Sequence, residues 1–385
     1  NNGSDGFQIQ DADDGTIMGN RAIANSSDGF DVFSGADGIK ILNNRAFRNN
    51  SDGFSIDGEF HTIRGNRAET NESDGFDLSD LDKSLVVNNL ARGNDSDGFD
   101  MSSSDDSTFL RNVALNNASE GFDLDCGNAN KFERNLAIGN EDGGFFSCGD
   151  RNEFVNNRAI ENQSEGFDLD CDDDPDDPDT NCTGPIIGNR AIRNADDEGF
   201  ELSDFEKTTI SGNKAIGNND EGFQIDDTDK TLFENNLARD NGEEGFRVFA
   251  DSDSNTFKNN RSIGNAEDGF KISDSDSDSN TIIKNTIRKN FGDGIDIDGD
   301  SDDNVIDGNI VRNNRGTGIE NDGKADTVIK NNTMRGNRTD LAGRGDDCDG
   351  GFGAAAVLAD SADDGFGNTF VTGGFAVCTP GTGDE

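Results

Sequence analysis

Carboxylates are the most abundant groups in this chain that could do chemistry. Its 385 residues include 80 Asp and Glu against 33 Lys and Arg, one His and six Cys, for a formal net charge of −47. The densest acidic runs are Asp251-Ser252-Asp253, Asp274-Ser275-Asp276-Ser277-Asp278 and Asp296-Ile297-Asp298-Gly299-Asp300-Ser301-Asp302. Hard cations take several carboxylate and carbonyl oxygens. Asp251, Asp253, Asp274, Asp276, Asp278, Asp296, Asp298, Asp300 and Asp302 are therefore candidate Ca²⁺ ligands. No organic cofactor is indicated. The lone histidine, His61, stands in Phe60-His61-Thr62 and reads as a surface turn residue. A chain this acidic lacks the basic footprint that nucleic acid requires. No apolar run approaches the ~20 residues of a membrane span.

The elements that position these groups follow from an internal repeat. Gly-Phe pairs recur from Phe7 to Phe270 in steps of 22 to 24 residues, with one step of 33 that carries an insertion. Two residues after each Phe comes a second apolar column (Met101 and Leu124 among its members), and the polar residue between gives the period of two of a strand. A third column is Ile or Phe, as at Phe109 and Phe132. A fourth is Ala, as at Ala91 and Ala114. Gly, Asn, Asp and Ser separate these short strands and supply the turns and positive φ. A strand of three to five residues cannot bury its apolar side alone, so one turn must stack on the next. The fold class is all-β: a right-handed parallel β-helix, or solenoid, of about 14–15 rungs of 22–25 residues over residues 1–340. Phe99 and Phe122 represent its aromatic stack. Two asparagine columns, with Asn89 and Asn112 in one and Asn94 and Asn117 in the other, form structural ladders, because an amide both donates and accepts.

The N-x-A-x-x-N-x-S-D-G-F-x-L unit resembles the right-handed parallel β-helix repeat proteins of the pectate-lyase-like superfamily. The resemblance implies the fold, and it implies polysaccharide as a ligand class, since many relatives cleave or epimerise acidic polysaccharides. The motifs of those enzymes are absent here. There is no Gly-His-Gly, no Trp and no Tyr, and Gly98-Phe99-Asp100 runs on into Met101-Ser102 rather than Pro-His-Asp. A polysaccharide-active enzyme would need clustered Arg and Lys in a groove, which no rung shows in the sequence. No catalytic residue is assigned. The acidic runs do not complete an EF-hand loop either, since Ser279 and Ser301 stand where its Gly belongs.

A carboxylate precedes most motif glycines, from Asp5, Asp28, Asp52, Asp74 and Asp97 to Asp268 and Asp293. In-register stacking makes these a column that repels itself. Either cations offset that repulsion, or salt and a nearby column of Arg21, Arg45, Arg67, Arg158, Arg190 and Lys214 do. Six cysteines is an even number. Cys126 with Cys148, Cys171 with Cys182 across the acidic insertion, and Cys348 with Cys378 are the expected disulfides, with Cys148–Cys171 as the alternative. Such bonds imply a secreted, extracellular or cell-surface setting. Residues 341–385 are Gly- and Ala-rich and form a cap or assembly segment. Open strand edges invite other chains, so end-to-end self-association is expected. The sequence thus reads as an extracellular structural or surface protein, a fibre subunit or adhesin-like stalk. A polysaccharide-binding or -cleaving enzyme and a calcium-dependent binding module are the alternatives.

Overall fold

The computed structural model describes residues 2–125, 127–171, 184–273, 277–298, 301–322, 327–344, 369–370 and 376–379. It is all-β, a parallel β-solenoid of about 14 turns. Two compact units, 1–197 and 198–385, each carry the same architecture. None of the described residues forms a helix long and apolar enough to cross a membrane.

In the first unit each turn contributes three short strands. Phe-wall strands run from Phe7–Ile9 to Phe167–Asp170, Ile/Phe-wall strands from Thr16–Met18 to Ile186–Ile187, and Ala-wall strands from Arg21–Ile23 to Arg190–Ile192. All pair in parallel and in strict register, as in Phe99↔Phe122, Phe109↔Phe132 and Ala114↔Ala137. Burial alternates accordingly. Phe122 and Leu124 are buried, while Asp123 between them faces outward. The second unit repeats the three walls from Phe200–Ser203, Thr209–Ser211 and Lys214–Ile216 onward. Two strands of the expected C-terminal segment extend them: Thr369–Phe370 pairs with Thr333–Met334, and Ala376–Thr379 with Leu341–Arg344.

Register turns each column into a stack. Phe99 and Phe122 lie with ring centroids 4.8 Å apart and planes 1° apart. The asparagine ladders form as expected. The Asn66 backbone N–H donates to Asn89 Oδ1 at 2.9 Å, and the Asn89 amide donates to Asn112 Oδ1 at 3.1 Å and to the Ile63 carbonyl at 2.9 Å. In the second ladder the Asn94 amide donates to Asn117 Oδ1 at 3.0 Å.

Two features depart from the sequence expectation. The motif glycine is not there for positive φ. A Cβ on Gly98 would lie 2.5 Å from the Gly121 carbonyl oxygen and 2.7 Å from Ala114 Cβ. Glycine and alanine are selected together because the Phe wall meets the Ala wall there at van der Waals limits. Left-handed backbone falls instead on turn residues such as Asn88 and Asn116. The second departure is His61. It is 1% exposed and belongs to a third polar ladder between the Phe and Ile/Phe walls. Its Nδ1 accepts the Ile39 N–H at 3.1 Å, while Nε2 lies 3.0 Å from the Asp57 carbonyl oxygen, as the N–H donor. Ser84, Ser107, Asn130 and Asn152 continue the ladder. Burial lowers the pKa of the imidazole, which is held neutral between these two backbone groups.

Asn94 accepts both the backbone N–H and the side-chain amide of Asn71, at 3.1 and 2.9 Å. An Asn94→Leu variant strands both buried donors. At about 1–3 kcal/mol per stranded group, urea titration should show a loss of about 2–6 kcal/mol. A change within error would remove the ladders from the stability of the fold.

Candidate functional site

The outer side of the Phe wall and its entry corner collect the unusual chemistry. In the first unit Asp28, Asp52, Asp74, Asp97 and Glu120 stand one above another at the corner. Each aspartate accepts the backbone N–H of the acid on the next turn, at 3.0 Å (Asp28), 2.9 Å (Asp52), 2.8 Å (Asp74) and 2.8 Å (Asp97). This is a carboxylate ladder beside the amide ladder. It runs through one oxygen of each aspartate, and preceding serines such as Ser51 and Ser73 donate to the other at 3.2 Å. Parallel to it on the wall runs an outward row: Asp31, Ser55, Asp77, Asp100 and Asp123.

At the corner, in places joined by the row, three carboxyl groups offer oxygens within 4.8 Å of one another. In the first unit these trios include Asp5–Asp28–Asp31 and Asp97–Glu120–Asp123; in the second, Glu221–Glu243–Glu244. The crowding shows in the acidities. Burial, with Asp5, Asp28 and Asp57 nearby, pushes Asp31 up to about 6. Burial raises Asp52 to about 7 and, with Glu120 and Asp100 adding to it, Asp123 to about 7. Asp97 is 8% exposed, and burial plus a hydrogen bond shared with Glu120 push it up to about 9.

In the second unit the outward row changes sign. Gln224, Arg247, Lys271, Asp296 and Glu320 follow one another in register. Arg247 bonds the buried Glu221 at 2.9 Å. Lys271 Nζ lies 3.9 Å from Glu244 and 3.8 Å from Asp296. Burial first, then neighbouring acids, push both of those carboxyls up to about 7. Each of these turns carries a single basic group on the row, as the sequence suggests, but two successive turns place theirs side by side. Arg247 and Lys271 are 24 residues apart in sequence, and only the register brings them together.

The candidate Ca²⁺ ligands of the acidic runs fall at different positions of the turn. Asp253, Asp278 and Asp302 form another carboxylate ladder at the opposite corner of the Phe wall, following Asp229. Asp296 belongs to the outward row, and Asp251 and Asp298 are exposed. Among the described residues none of these joins a close carboxyl trio. Asp274, Asp276 and Asp300 lie outside the described residues. So do Cys126, Cys182, Cys348 and the side chain of Cys378. Cys171 is buried, and the buried Cys148 places Sγ 3.3 Å from Asp125 Oδ1. The arginine column expected to screen the acids is on a different wall. Arg45, at 2.7 Å, and Arg92 pair with Glu69 on the Ala wall.

A carboxyl whose folded pKa lies above its unfolded value near 3.8 binds its proton more tightly when folded. Its contribution is therefore greatest at low pH and falls as pH rises toward the folded value. In cation-free buffer the thermal midpoint should fall from about pH 4 to about pH 9, the range set by the unfolded value and by Asp31, Asp52, Asp123 and Asp97. Asp97→Asn should flatten the fall. A midpoint that rises over that interval would mean that these acids are not crowded.

The chain matches the family model described as right handed beta helix region over residues 49–159, 161–280 and 275–370. No curated protein matches it. Among solved structures, a mutant of the periplasmic alginate epimerase AlgG shares 15% identity at a TM-score of 0.40, over 80% of this chain and 64% of that one. This chain thus spans less than two thirds of that protein. The A-module of an Azotobacter vinelandii mannuronan C-5 epimerase shares 14% identity at 0.41, over 95% and 91%. The receptor-binding domain of the siphovirus 9NA tailspike shares 8% at 0.42, over 96% and 73%. At these values none of the three bears on what the acid wall does.

Proposed function

Because the chain belongs to the right-handed β-helix family, a fold that carries many activities, we propose its function from the acid wall itself: an extracellular structural or surface solenoid that holds divalent cations along its Phe wall. The observation that carries this is the pair of carboxylate columns repeating at the turn spacing, with trios of oxygens within 4.8 Å. Unit charges 4.8 Å apart repel by about 0.9 kcal/mol in bulk water and by about 3 kcal/mol at an effective dielectric of 20. Cations of the Ca²⁺ class, which take six to eight oxygens in flexible geometry, remove that repulsion and compete with the serine hydroxyls for the outer carboxylate oxygens. Two sites follow most directly, Asp97–Glu120–Asp123 and Glu221–Glu243–Glu244. Protons and cations then compete for the same oxygens.

One observation favours a second reading, acid–base action on a polysaccharide. Lys271 stands on the outward face between Glu244 and Asp296, two carboxyls brought near neutrality. Such groups suit proton transfer at working pH. If this reading holds, purified protein releases reducing ends from uronate polymers, and Asp296→Asn abolishes the release. A chain inert toward such polymers leaves the structural reading.

The cation reading is tested by melting the protein in EDTA and in millimolar Ca²⁺. At pH 8 calcium should raise the midpoint by several degrees, and at pH 5, where protons already occupy the wall, by much less. Equal midpoints with and without calcium at pH 8 would refute it.

A further inference from the structure

The positive charge of the first unit is not spread evenly over its surface. The Ala wall's first outward position runs Arg21, Arg45, Arg67, then Leu90, Val113 and Leu136, then Arg158 and Arg190. Its third outward position is aliphatic or aromatic apart from Glu69 and Arg92, and Glu69 is buried between Arg45 and Arg92. A chain with 80 acids and 33 bases therefore keeps one wall nearly free of acid. Arg21, Arg67, Arg158 and Arg190 are exposed, and among the described residues none of them enters an ion pair. The second unit has the same bias, with Lys214, Arg239, Arg261, Arg288, Arg312 and Arg335 on its Ala wall and no acid beside them on that wall's strands.

The acid wall of the same unit offers the complementary pattern. Asp77, Asp100 and Asp123 occupy three successive turns of the outward row, as Arg21, Arg45 and Arg67 occupy three successive turns of theirs. Both rows are set by the same turn spacing, near 4.8 Å in the aromatic stacks. Arg45 is held by Glu69, but Arg21 and Arg67 on either side of it can meet aspartates two turns apart without either row bending, and guanidinium–carboxylate pairs are among the strong ionic hydrogen bonds. The two walls are different surfaces, so they cannot satisfy each other within one molecule's first unit.

We propose that the arginine-bearing Ala wall of one molecule docks side by side on the acid wall of a second copy of this chain. The contact is heterologous: each copy keeps one free wall of each kind, so association continues laterally instead of closing as a dimer. It is distinct from end-to-end stacking of strand edges and does not depend on the cation reading. Calcium bound to the acid wall would compete with it.

The test is sedimentation velocity in EDTA near physiological ionic strength. There the Debye length is about 8 Å, so the far field of the net charge is screened while contact pairs still act. The wild-type chain should form species larger than a dimer that return to monomer in about 1 M salt, where the Debye length is about 3 Å. An Arg21→Glu/Arg67→Glu variant changes two exposed side chains outside every ladder and should fold with unchanged circular dichroism. Alone it should remain monomeric. Mixed with wild type it should shorten the assemblies, since its intact acid wall can still cap a growing end. A wild-type chain that is monomeric at every concentration would overturn the proposal. So would assemblies indifferent to the double substitution, or binding of polyglutamate to a chain that never self-associates.

Discussion

Along the inward and corner columns of this fold, a side chain must tolerate its own copy about 4.8 Å away. That is the constraint from which the remaining features follow. Parallel in-register pairing leaves no choice of neighbour along a column, so a residue type survives only if it is compatible with itself. Phenylalanine is, because its rings stack face over face. Asparagine is, because the donor of one amide meets the acceptor of the next while the backbone N–H is also satisfied. Glycine and alanine are, where two walls nearly touch. Tyr and Trp would bring an O–H or N–H into these stacks without a partner, and the chain contains neither.

Carboxylates are the exception, and they are concentrated where the exception costs most. An aspartate in the corner ladder accepts a backbone N–H as an asparagine would, but it has no proton to donate and repels its copies. Burial first, then neighbouring acids, push Asp52, Asp97 and Asp123 well above ordinary carboxyl values, so a proton retained there offsets part of this cost. The basic side chains are little used for the purpose. In the first unit most of those on the strands lie on the Ala wall, while in the second Arg247 and Lys271 interrupt the acid row. Charge is thus sorted by wall, and the sorting gives different faces different chemistry.

Much of this was legible in the sequence, for a physical reason. When contacts repeat at a fixed sequence interval, columns of identical residues are the three-dimensional neighbours, so Phe99 on Phe122 and Asn89 on Asn112 could be read directly. What escaped was geometry within a turn. His61 follows an exposed Phe60 and looked like a turn residue, yet it fills the position that Ser84 and Ser107 fill on the next turns. The motif glycine looked like a turn signal, yet its constraint is the Ala wall opposite. The acidic runs drew attention by local density, whereas the carboxyls that meet, Asp97, Glu120 and Asp123, are scattered over two turns. Arg21 and Asp28 are close in sequence, but they stand on different sides of the Asn25 corner.

On the proposed function, the acid wall holds protons at neutral pH because burial and neighbouring acids raise its carboxyls, and it yields them to divalent cations. A pH-stat records this directly: calcium is added to chelator-free, metal-free protein at constant pH 7 and the base needed to hold the pH is counted. Protons should be released in proportion to calcium bound, and part of that release should be lost in Asp97→Asn. Calcium binding with no proton release, or no binding at all, would contradict it.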